Sequence, residues 1–124
     1  MSLPDLQNTT IRSFLNREEI ILETVQQIMK DFGMFGLEIT FSGTTDRAYE
    51  ELLEQLSLQV QKLMGSNAEL LMSVLYQVDI SEREIMKAAS EFPDYDQFEV
   101  IAHQIIFRDL KKVLFRRYFR SSNT

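Results

Sequence analysis

Apolar residues recur at helical spacing in five stretches of the chain, and four of those stretches open on the same capping signature. Asn16 with Glu19, Ser66 with Glu69, Ser81 with Glu84 and Asp96 with Glu99 each place a short polar residue three positions before an acid. In that arrangement each side chain satisfies a backbone N–H that the first helical turn leaves unpaired. The first helix is predicted over about 17–32, with Ile21, Val25, Ile28, Met29 and Phe32 inward and Gly33 as a left-handed stop. The second runs over about 46–64, with Tyr49, Leu52, Leu53, Leu56, Val60 and Leu63 on one stripe and Gly65 ending it. The third covers 67–78, with Leu70, Leu71, Val74, Leu75 and Val78 inward, and the fourth 82–92, stapled by Ile80 and Ile85 and stopped before Pro93. The fifth and longest, about 97–119, carries Phe98, Ala102, Ile105, Ile106, Leu110, Val113 and Leu114.

Residues 33–43 break the helical period. They hold three of the chain's four glycines, and Leu37, Ile39 and Phe41 alternate with Glu38, Thr40 and Ser42 as in a short strand. One strand alone leaves its backbone unsatisfied, so an apolar connector packed on the helices is expected, with pairing in a dimer or a lid as alternatives. The fold class is therefore all-α, a five-helix bundle-like domain. The first, second and fifth helices form the main antiparallel bundle, and the third–fourth hairpin crosses it. A length of 124 residues fits one domain over 1–124, with 1–13, which carry weak periodicity, as a candidate disordered stretch.

Composition narrows the chemistry. At 44% hydrophobic and 26% charged the chain has a core's worth of apolar residues. The absence of Cys removes disulfides, thiol nucleophiles and thiolate zinc sites. The single histidine, His103, does not suffice for a di-iron carboxylate site, which needs two Glu-x-x-His pairs, and Glu99 precedes it by four positions rather than three. His103 reads as a partly buried structural residue with an i,i+4 contact to Glu99. Acid pairs such as Glu18/Glu19 and Glu50/Glu51 are sequence neighbours that point in different directions on a helix, and no nucleophile stands beside a base. Gly43-Thr44-Thr45 opens a helix, but Asp46, Glu50 and Glu51 crowd that end with negative charge, so a phosphate loop does not fit. No catalytic residue, cofactor or metal ligand is assigned, and the chain is not expected to be an enzyme. The N-terminus shows no cationic start leading into an apolar run, and no stretch approaches the roughly 18 apolar residues of a membrane span. A cytoplasmic location is expected by elimination.

Charge is segregated. Formal net charge is −6, yet the stretch from Arg108 to Thr124 sets six cations against Asp109, leaving seven basic and eighteen acidic side chains on the rest. An acidic body of −11 thus carries a basic end of +5.

Two segments suggest a function. Leu75 to Ala89, within 71–92, resembles the core of a helix-turn-helix: an apolar helix, a tight turn ending in Ile80-Ser81, then a capped second helix. It departs from that motif at Asp79, where Gly is usual, and at Leu75, where a small residue lets the helices approach. Its reading helix carries Glu82, Glu84 and Glu91 against Arg83 and Lys87, which repels phosphates. A nucleic-acid-binding regulator is thus the alternative function, and nucleic acid an unfavoured partner. The stronger candidate is the end of the fifth helix, where Arg108, Lys111, Lys112, Phe115, Arg116, Arg117, Tyr118, Phe119 and Arg120 interleave cations with aromatics. More cations gather there than a helix dipole needs, and a helix of about 34 Å is expected to leave its last turns at an edge. Exposed apolar area rimmed by charge marks an interaction surface. The expected function is a small protein-interaction or assembly module. It self-associates as a homodimer or larger homo-oligomer when these basic ends meet acidic faces of a second copy, and loosens with salt.

Overall fold

A computed structural model describes residues 17–122, with side chains to Tyr118; it is all-helical, with no strand among the described residues. The elements are α1 (Glu18–Gly33), a 3₁₀ turn (Thr45–Arg47), α2 (Ala48–Ser66), α3 (Ala68–Val78), α4 (Glu82–Glu91) and α5 (Gln97–Ser122). Residues 1–13 and the cap proposed at Asn16 lie outside the described residues; α1 opens from Arg17 without a side-chain cap.

The strongest local signals are realised. Ser81 Oγ accepts the Glu84 N–H at 3.2 Å, and Glu84 Oε1 accepts the Ser81 N–H in return at 3.4 Å. Asp96 and Glu99 exchange the same pair of bonds at 2.8 and 2.9 Å. Two boundaries differ from expectation by a residue or more. Gly65 lies inside α2, and Ser66 caps nothing: its hydroxyl donates to the Lys62 carbonyl while Asn67 accepts the Leu70 N–H and caps α3. Gly33 likewise lies inside α1, and the left-handed residue is Gly36, at φ 74°. The Leu37 N–H reaches back to the Phe32 carbonyl and that of Gly36 to Gly33, the paired bonds that close a helix around a left-handed glycine. Asp79 does the same for α3 at φ 71°, with the Ile80 N–H on the Leu75 carbonyl.

The connector is extended and packed. Ile39 is buried, and Phe35, Leu37 and Phe41 lean on the same core. Its backbone finds partners on α2 rather than on a strand. Gln55 accepts the Thr40 N–H and donates to the Thr40 carbonyl, both at 2.8 Å, as a neighbouring strand would. Glu51 takes the Ser42 N–H and hydroxyl at 2.8 and 2.7 Å.

The main departure in packing is the place of α5. Val100, Ile101, Ala102, His103, Gln104, Ile105 and Ile106 are all buried, so this part of the helix is covered on every side rather than along one stripe. Helix α2 packs on it most extensively, then α1 and α4, while α3 bridges α1, α2 and α5. The apolar positions expected on α1, α2 and α3 form one continuous core with Ile105, Ile106, Leu110 and Val113.

Candidate functional site

The basic end of α5 lies along α1 of the same chain. Arg117 meets Glu19 and Glu23 at 3.2 and 3.1 Å, and Arg116 meets Glu23 at 3.5 Å and the side-chain oxygen of Gln27. Lys112 stands 3.4 Å from Asp31. As residue numbers rise on α5 they fall on α1, so the two helices are antiparallel and the ladder sets their register. The turns from Lys112 to Arg117 are therefore supported by α1, and the side chains beyond Tyr118, where an unsupported edge was expected, lie outside the described residues. One turn earlier, Arg108 bonds Asp79 at 2.6 Å and ties α5 to the α3–α4 turn.

Beneath these cations is a polar layer. On α1, Ile20, Thr24, Gln27 and Asp31 form a stripe beside the apolar one, and all four are buried. Asp31 receives the Gln27 side-chain amide at 3.0 Å and Lys112 at 3.4 Å. Asp109 on α5 is fully buried, and neither of its carboxylate oxygens makes an aligned hydrogen bond, although Lys112 approaches one at 3.4 Å. Burial, and after it the adjoining Asp31 carboxylate, raise Asp109 well above the usual carboxylate range against the pull of Lys112. One ammonium balances one carboxylate. Asp109 therefore holds a proton to higher pH than an ordinary carboxylate does.

Above that layer the side chains of α1 and α5 enclose an open groove of about 490 Å³, lined by Gln27, Lys30, Arg108, Lys111, Lys112, Phe115 and Arg116. Five of the nine residues singled out in the sequence line it. Arg117 and the half-buried Tyr118 stand outside it, and the side chains of Phe119 and Arg120 lie outside the described residues. The lining holds five cations and no carboxylate. Among the described residues Lys30 and Lys111 meet no carboxylate at all. Such a lining suits anionic oxygens, with Arg forks gripping in a plane and Lys as point charges. Gln27, Lys30 and the buried carboxylates were not anticipated from sequence. The signal was present in the polar 24–27–31 spacing on α1 and in Asp109 falling four residues after Ile105 and four before Val113.

Other candidates resolve differently. His103 is fully buried, its Nδ1 2.6 Å from the Tyr49 hydroxyl, which in turn lies 2.9 Å from that of Tyr95. Phe92 and Phe107 close over the ring at 4.5 and 6.4 Å. The expected Glu99 contact is not made, because Glu99 is held by the Asp96 cap. In the α3–α4 segment, Asp79 supplies the left-handed turn in place of Gly, and Arg83 and Lys87 are exposed beside Glu82. A second groove, of about 410 Å³, lies where α2 meets the start of α5; Glu50, Glu54, Asp96 and Glu99 line it with Leu53, Leu58 and Phe98, and no cation. No helix among the described residues is long and apolar enough to cross a membrane. Compared with known proteins, the chain matches no family model, no curated protein and no solved structure.

Proposed function

We propose that the chain is a small non-catalytic protein-interaction or assembly module, acting in the cytoplasm, whose groove between α1 and α5 receives acidic side chains of a protein partner. A second copy of the chain is the nearest such partner. The observation that carries this reading is the convergence of five cations around Phe115 with no carboxylate in the lining. Interfaces favour this pairing of an aromatic with arginines, and desolvation beside Phe115 strengthens each charged contact. Nucleic acid is the poorer partner, because a duplex carries phosphates along its whole length and would lay most of them against the acidic body of −11, whereas a short acidic segment can enter the groove alone.

The test is titration of a fluorescent poly-glutamate peptide at low salt. Binding is expected to weaken at least tenfold in the Lys30→Glu, Lys111→Glu double variant, whose native side chains pair with no carboxylate among the described residues. Absence of binding, or binding that this variant leaves unchanged, overturns the reading. Duplex DNA binding lost on Arg83→Glu with Lys87→Glu favours the regulator instead.

A further inference from the structure

We infer that the occupant of the cationic groove is the exposed stripe of α2 on a second copy of this chain; the inference rests on the docking reading above. Glu50, Leu53, Glu54, Ser57, Leu58 and Gln61 recur three and four residues apart, so they share one face of α2, the face that borders the acidic groove. Glu54 is exposed and Leu58 is 62% exposed, unusual for a leucine in the middle of a helix whose other face is wholly core. The stripe is therefore a ridge that begins with carboxylates and continues into an apolar side chain. The groove on the α1–α5 side presents the complement, cations with Phe115 among them. A helix ridge laid in a groove is a recurrent recognition mode, in which apolar anchors supply affinity and flanking charges supply register.

One chain cannot make this contact with itself. The ridge lies beside Phe98 at the start of α5 and the groove beside Lys112, fourteen residues further along, or roughly 21 Å of helix. The two faces belong to different ends of the central helix, so they meet only between copies. Flanking charge favours the same orientation: Asp96 and Glu99 stand across from the ridge, and the groove repels any cationic alternative.

Sedimentation equilibrium on the full chain tests this, at about 50 mM and about 500 mM salt, where screening lengths differ roughly threefold. Association at low salt that dissolves at high salt is expected. Glu54→Lys alone and Lys111→Glu alone each weaken it at least tenfold, and an equimolar mixture of the two variants recovers a dimer, because each supplies the half the other lacks. Leu58→Ala weakens association with its salt dependence intact. Thermal melts of the same variants, all at exposed or half-exposed positions, check that the fold is kept. A monomer at low salt that still binds poly-glutamate overturns the second copy as occupant and leaves the docking reading standing. A dimer indifferent to Glu54→Lys overturns the α2 ridge. A monomer that also ignores the peptide overturns both.

Discussion

Replacing Asp109 with asparagine tests the charge state of the buried layer. Asp109 is fully buried, Asp31 is 1% exposed, and Lys112 stands 3.4 Å from each carboxylate. With both acids ionised the trio would carry a net negative charge away from water. With one proton retained it is neutral. Burial, and after it the neighbouring Asp31 carboxylate, raise Asp109 well above the usual carboxylate range, so Asp109 is the group that holds a proton to higher pH. In the unfolded chain the same carboxyl ionises near pH 4. Between that pH and the raised folded-state value the native state binds one more proton than the unfolded state, so stability falls by about 1.4 kcal/mol per pH unit. Below pH 4 the group is protonated in both states and this penalty is absent. The introduced amide has the shape of the neutral acid, carries an N–H donor on the side of the adjoining Asp31 carboxylate, and cannot ionise. The Asp109→Asn variant is therefore expected to be as stable as the parent at pH 4. Above pH 5 it should be more stable, with the parent's downward slope removed. Urea denaturation at pH 4, 5, 6 and 7 reads this directly. If Asp109→Asn loses more than about 1 kcal/mol at pH 7 and keeps the parent's slope, Asp109 is an ionised partner of Lys112 and the assignment of the proton is wrong.

Two glycines are expected to respond in opposite directions. Gly36→Ala forces a Cβ onto a φ of 74° and should cost about 1–2 kcal/mol, whereas Gly65→Ala, in the last turn of α2 with open space around it, should gain about 0.5–1 kcal/mol; thermal melts compare the pair. Gln55→Glu keeps the acceptor for the Thr40 N–H but turns a carboxylate on the Thr40 carbonyl. A loss of about 1 kcal/mol is expected, with faster amide exchange at Ile39 to Phe41. Tyr49→Phe removes the hydroxyl between His103 and Tyr95 and should cost about 1–3 kcal/mol in urea denaturation, because a buried ring nitrogen loses its partner.

What was legible in the sequence was what neighbouring residues decide. The Ser81 and Asp96 caps need only a side chain three positions away, and they formed as read. Where two adjacent residues compete, the local signal blurs: Ser66 and Asn67 both suit a cap, and the shorter reach of a hydroxyl still inside the preceding helix leaves the role to Asn67. Gly33 and Gly36 compete in the same way, resolved by the extra turn that Met34 and Phe35 add. The connector's partners were not legible, because Gln55 lies fifteen residues from Thr40 and imitates a strand no pattern would place there. The site was half legible. Cations and Phe115 on α5 were visible as composition, but Lys30, Gln27 and Asp31 enter only once α1 lies antiparallel on α5.

The segregation of charge along the chain serves the fold before it serves any partner. Arg108, Lys112, Arg116 and Arg117 each meet a carboxylate of their own chain, and three of the four meet α1, so much of the +5 end is matched within the molecule. These contacts select the register of α1 on α5 more than they hold it there. Glu19 is 83% exposed and Arg116 49%, and pairs so wet contribute about 0–1 kcal/mol each. The core of Ile28, Leu56, Ile105, Ile106 and Leu110 lies beneath salt's reach. Docking at the groove draws instead on the surplus at Lys30 and Lys111, where most of the long-range attraction is electrostatic. Salt should then act on the two processes unequally. The same rise in ionic strength that leaves the melting temperature within a few degrees should abolish association, and that divergence separates a surface built for a partner from one built only to close the bundle.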